Sequence, residues 1–440
     1  MDSYIEFSET MKKNIFFLLS ILILPALAQN EAYRDFQKDI TLSGMNFVAY
    51  RAPENPQYTA APKGYKPFYI SHYARHGSRW LIHEDQYASP RRKLHRADTL
   101  GVLTPLGREV MSVCDTLYAM SRGRLGELTD VGAEQHRGIA GRMAQNWKEV
   151  FDNQCFVEAR STPVVRCILS MMNELWTLKM YHPDIDMRTD ASEHDMYYLN
   201  DGRHPAHKMR TGEAWHKAQK DLKDFYAPQL KNIDEKLAKA LFTDVKKAEK
   251  VLKISDLREQ LFRLASNMQS HHFKFDLFRL FTVDEAYVMW ALNNYMWYAN
   301  YGFSPLTQNK LPLTQENLLK DFIQAADSCV NLPHPSATLR FGHEVCVLPL
   351  ACLMGLDGAD YATTDPFTLA DHWRDYRIFT MASNIQLVFF RHTKNPDKPV
   401  LVKALLNERE VKMPIEEYQP GFYEWNRVRE HWVSLTQNAH

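Results

Sequence analysis

Apolar residues along the chain fall into two kinds of run: short, nearly unbroken ones towards both ends, and longer ones at helical spacing between them. Pro67-Phe68-Tyr69-Ile70-Ser71-His72-Tyr73 has the length and aromatic content of a buried strand, and it stops at Arg75-His76-Gly77-Ser78-Arg79. Cys155 to Arg160 and Ala337 to Phe341 have the same character. Asn384–Phe390 and Pro399–Leu406 flank the polar turn Asn395-Pro396-Asp397, which predicts a hairpin. Thr104-Pro105 opens a helix with Leu106, Val110 and Val113 as its stripe. Thr129 and Asp130 open a second, through Val131, Ile139 and Met143 towards Trp147. Residues 29–66, punctuated by Pro53, Pro56, Pro62 and Gly64, predict irregular chain.

From 185 to 325 the pattern turns to Lys, Glu, Leu and aromatic residues at helical spacing, as in Glu235–Leu264 and Asp284–Tyr301. Strands, then helices, then strands again predict an α/β domain, residues 29–184 and 326–440, interrupted by a mostly α-helical cap at 185–325. The α/β part is expected to hold a central, mainly parallel sheet flanked by helices.

Composition changes little in this picture. The chain has 440 residues, 45% apolar content and zero formal net charge, an ordinary globular balance. That balance gives no reason to expect nucleic acid, so any anion must be gripped by local basic clusters. Six cysteines carry no CxxC pair and no ligand-like histidine spacing, which argues against structural zinc and for mostly buried free thiols. Lys12-Lys13, the apolar run Ile15–Leu24 and the small residues Ala26 and Ala28 have the order of a secretory signal peptide. The expectation is a leader over 1–28, with translation able to start at Met11. The mature chain then begins near Gln29, is periplasmic or secreted, and has no membrane span.

The segment after the first strand carries the candidate chemistry. Ligands in α/β folds bind beyond the carboxyl ends of strands. There Arg75 and Arg79 offer forked donors to phosphate oxygens around His76, and Gly77 permits a sharp turn or a close approach. Flanking cations disfavour imidazolium, leaving a neutral ring with a lone pair. Such a group is a phosphoryl acceptor.

Arg75-His76-Gly77-Ser78-Arg79 resembles the R-H-G-x-R signature of the histidine acid phosphatases, and residues 66–82 are most similar to the branch containing the multiple inositol polyphosphate phosphatases and phytases. Gly101–Gly107 and Gly126–Gly132 resemble the family's G-x-L-T-x-x-G helix start. Ser161–Arg166 followed by Ser170 resembles its S-x-x-x-x-R-x-x-x-S segment. The resemblance covers most of residues 40–415. It implies Arg166 as a third phosphate-binding arginine, and His343, in Phe341-Gly342-His343-Glu344, as a further phosphate ligand.

An alkoxide leaves poorly, so a carboxylic acid must supply a proton. Here the chain departs from the pattern. Phytase-like members have H-D and the inositol polyphosphate phosphatases H-A-E, whereas this chain has His343-Glu344-Val345. Glu344 is taken as the donor, with a simple ion pair to a pocket arginine as the competing role. The implied mechanism is double displacement through a phosphohistidine on His76, with no metal or cofactor and an acidic optimum. Inositol polyphosphates are the first choice of substrate; a broad acid phosphatase and a phosphate-ester binder impaired by the H-E-V departure are the alternatives. The basic run Arg91-Arg92-Lys93 with Arg96 is either a rim for a polyanion or a solvated helix face. His194–Tyr198 is either a projection towards the pocket or a structural turn, and Leu405–Glu410 is structural.

Overall fold

The computed structural model describes residues 30–437 apart from 55, 153, 154, 203 and 274; the leader-like segment 1–28 lies outside the described residues. Its frame is one eight-stranded sheet. The strands are β1 (Tyr65–Arg75), β2 (Phe156–Ser161), β3 (Asp186–Asp190), β4 (Ser336–Gly342), β5 (Asn384–His392), β6 (Leu401–Leu406), β7 (Arg409–Glu410) and β8 (Tyr423–Glu424). They lie in the order β3-β2-β4-β1-β5-β6-β7, with β8 on β6. The sheet is mixed. β3, β2, β4 and β1 pair in parallel, whereas β1–β5 and every later pair are antiparallel. The change falls at the β1–β5 pair, and the short β5–β6 connection then keeps β5 and β6 antiparallel, because a short turn can only join strands of opposite direction.

β1 occupies the middle, and its alternation shows why it reads as apolar on both faces. Tyr69 and Tyr73 pack on one side with the helices Glu316–Cys329, Glu344–Leu353 and Trp425–Gln437. Ile70 and Ala74 pack on the other with Asp130–Asn146 and Val165–Tyr181. A separate core joins Glu213–Leu241 and Ile254–Met268 to Asp85–Thr99 and Pro105–Ser121, so two helices from the first third of the chain pack with the inserted ones. Within 185–325, β3 belongs to the sheet edge and the rest is helical or connecting chain.

Local chemistry sets the helix starts. Thr104 Oγ1 accepts from Gly107 N at 3.0 Å with Pro105 next to it, and Thr129 Oγ1 accepts from Gly132 N at 3.2 Å. Residues 29–66 are less irregular than their sequence suggests: Glu31–Lys38 is a helix capped by the Asn30 side chain, which seats Phe36 on Trp290 and Tyr376. Only Ala32 and Phe36 of that helix are buried, too few to print a period on the sequence. All six cysteines are free, five of them buried. Among the described residues no helix is long and apolar enough to cross a membrane.

Candidate active site

β1 and β4 end side by side, Arg75 opposite Gly342, so the residues that follow each strand meet at one edge. The turn after β1 is fixed by contacts that only glycines allow. A Cβ on Gly77 would sit 2.4 Å from Gly132 O, and one on Gly132 would sit 2.2 Å from Ser78 O. The start of the Asp130–Asn146 helix is thereby drawn against the turn, where Thr129 N and Oγ1 both donate to Ser78 O. Gly77 N donates to Ser170 Oγ at 3.1 Å, and Gln135 bonds both the backbone and the side chain of Ser78.

This turn holds the His76 ring. Its Nδ1 is 2.9 Å from Gly77 O, an acceptor only, so Nδ1 carries the hydrogen and Nε2 keeps the lone pair. Nε2 is 3.7 Å from Glu344 Oε2. The His343 ring lies 5.5 Å away, centroid to centroid. Burial first, then the charges of Arg166, Arg75, Arg79 and His343, hold the His76 imidazole far below the ordinary histidine range. The three arginines come from two places in the sequence, the turn after β1 and the segment at Arg166, and converge on this ring.

The guanidinium groups are not equivalent. Arg75 is fully buried; it donates to Phe379 O and Asn46 O, both at 2.9 Å, and its Nε is 3.1 Å from Glu344 Oε2. Arg79 donates to Trp80 O and lies over the Phe47 ring. Arg166 makes only a long contact to Gly126 O, at 3.5 Å. The buried Nε atoms of Arg79 and Arg166 have no hydrogen-bond partner. Unmatched buried donors of one sign describe a site built for an anion.

His343 and Glu344 enter from the other strand end. Tyr73 OH donates to Leu199 O and accepts from His343 N, and it lies so near Gly342 that a Cβ there would be 2.0 Å away. Behind the His343 ring sit Thr162 Oγ1, 3.4 Å from its Nε2, and Cys167 Sγ at 3.8 Å. Burial, joined by Arg166, Arg75 and Arg79 and opposed by Glu344, lowers His343 to about 4. For Glu344, burial pushes the carboxyl up, but Arg75, Arg79 and His343 outweigh it and hold it at about 2. The side-chain amide of Asn46 reaches its other oxygen, Oε1, at 3.3 Å.

The structure thus brings together Arg75, His76, Arg79, Arg166, His343 and Glu344. Asn46 was missed by the sequence reading, and so were the carbonyls of Phe379 and Ser383, the latter accepting from Arg75 N. The basic run stands apart from these contacts: Arg91 and His95 share Asp115, Arg92 meets Asp85, and Lys93 bonds Gln260. In the His194–Tyr198 segment, Asp195 pairs with Arg160 at 2.9 Å and Tyr198 is buried. Glu408, beside the β6–β7 turn, ties Arg142 to Tyr50.

A mixed sheet of this order, with the turn after its central strand facing the end of β4, is the histidine phosphatase fold. Solved structures share it. The multiple inositol polyphosphate phosphatase of Bifidobacterium longum, in complex with phosphate, aligns with a TM-score of 0.72 at 20% identity, over 90% of this chain and 98% of that one. The phytase of D. castellii aligns with a TM-score of 0.64 at 13% identity, over 90% and 86%. The B. longum enzyme with inositol hexasulfate bound gives 0.71. No protein-family model matches the chain, and no curated protein does.

Proposed function

We propose that this protein hydrolyses phosphate monoesters through a phosphohistidine on His76, with inositol polyphosphates as its substrates. The observation that carries the proposal is the His76 ring itself: Nδ1 is occupied by Gly77 O, and Nε2 is left beside a carboxyl, among three arginines and a second histidine. Arg79, Arg166 and His343 hold the non-bridging oxygens, with Arg75 behind them adding charge as it spreads in the transition state. His76 Nε2 attacks phosphorus as the P–O bond breaks, and Glu344 passes its proton to the departing alkoxide. Water then attacks the phosphohistidine and gives a proton to Glu344, releasing phosphate and the free ring. The choice of inositol polyphosphates is supported by the inositol hexasulfate bound to the B. longum inositol polyphosphate phosphatase and by the phytase that shares the fold.

Phosphate release from inositol hexakisphosphate and from an aryl phosphate, by the wild type and by His76→Ala, tests this. The wild type releases phosphate and, stopped in acid-free denaturant, retains label on His76; the variant loses about four orders of magnitude in kcat. Equal turnover by both proteins would end the proposal. A second reading, a binder without turnover, is favoured by one contact, the Glu344–Arg75 ion pair, and predicts tight phosphate-ester binding with no release. The leader-like segment supports action in the periplasm or outside the cell, which N-terminal sequencing of the exported chain checks.

A further inference from the structure

Asn46 comes from a stretch with no strand or long helix, yet it touches two of the groups that define the site. Its carbonyl accepts from Arg75 Nη2 at 2.9 Å, and its amide donates to Glu344 Oε1 at 3.3 Å. The chain around it is held tightly. Met45 has φ +54°, a left-handed conformation that costs energy for a side chain of that kind. Gln269 clamps both flanks, donating to Thr41 O and accepting from Ala49 N, and Val48 O accepts from Met381 N. Phe47, the next residue, lies beneath Arg79. Backbone strain of this sort persists where the surroundings over-determine it, and here it aims one amide at one carboxylate oxygen.

We infer that Asn46 is a positioning residue that, together with Arg75, fixes the Glu344 carboxyl beside His76. The Asn46 amide is 3.3 Å from Oε1 and Arg75 Nε is 3.1 Å from Oε2, so both oxygens are held and the carboxyl has one orientation, with Oε2 3.7 Å from His76 Nε2. As the P–O bond breaks and Nε2 gains phosphorus, the carboxyl proton passes to the departing oxygen. In the second step Glu344 takes a proton from the attacking water. This inference rests on the phosphohistidine reading and adds a residue the H-E-V motif does not contain.

The test uses leaving groups. An acid matters most where the leaving oxygen is basic, so Asn46→Ala should lower kcat at least about tenfold more on an alkyl phosphate than on 2,4-dinitrophenyl phosphate. Asn46→Asp keeps the shape, adds a negative charge beside Glu344, and should move the alkaline limb of the alkyl-phosphate kcat profile upward by about half a pH unit or more. Equal losses on both substrates, with an unmoved limb in Asn46→Asp, would show a purely structural role and overturn the inference. If Asn46→Ala does not fold, the isosteric Asp variant decides alone. A His76→Ala variant that still turns over would sink the parent mechanism instead, so the two failures are told apart in one set of assays.

Discussion

His76 and Glu344 stand 3.7 Å apart, and the arginines that keep the ring neutral also keep the carboxyl ionised. At about 2, Glu344 is ionised in the folded protein over most of the acidic range. On the proposed mechanism, the proton it donates must then arrive on the substrate. A phosphate monoester loses its second proton near pH ~6, so below that it enters as the monoanion and can hand its proton to Glu344 once the arginines hold the dianion. The expectation is a kcat/KM for an alkyl phosphate that is level from about pH 3 to 5 and falls about tenfold per unit above about 6. A stopped assay across this range checks it; a fall that starts near pH 2 would mean that free Glu344 must already be protonated. On this reading an acidic optimum follows from the substrate, which supplies the limb.

Among the elements, the contact of Gly77 with Gly132 joins the β1 turn to the start of the Asp130–Asn146 helix. Distances of 2.4 and 2.2 Å from a Cβ to backbone oxygens leave no soft side chain to yield. Gly132→Ala should therefore cost about 1–3 kcal/mol in urea unfolding and lower kcat as the turn moves His76. Full retention of both would place the close approach outside the site's needs. Both glycines were legible, because R-H-G-x-R and G-x-L-T-x-x-G are contiguous in sequence. So were the five strands β1, β2, β4, β5 and β6, whose apolar runs are long enough to see. Asn46 was not, since its partners Arg75 and Glu344 are remote in sequence and nothing nearby marks a lone polar residue for such use. The direction of β5 was partly legible in its hairpin, but its place beside β1 was not, as pairing between distant strands leaves no local trace.

At the scale of the whole molecule, acidity is a hazard as well as a working condition. His72, wholly buried on β1, has no hydrogen-bond partner at either ring nitrogen, and burial, with His136 and Arg340, pushes it down to about 3. Its folded value lies below the ordinary ~6.5, so between those values the unfolded chain binds the extra proton. The associated stability is complete above about pH 6.5 and is lost as the pH falls towards about 3. The urea midpoint should drop between pH 7 and pH 4, and His72→Leu should flatten that drop; an identical slope in the variant would assign the loss to other groups.

The place of β1 between β4 and β5 has a consequence for biosynthesis. Both of its neighbours are encoded in the last quarter or so of the chain, beginning at Ser336. A ribosome adding about 10 residues per second needs on the order of half a minute to reach them. Throughout that interval β1 has no neighbouring strand to pair with. The same delay keeps His76 and Glu344 apart until synthesis is nearly complete.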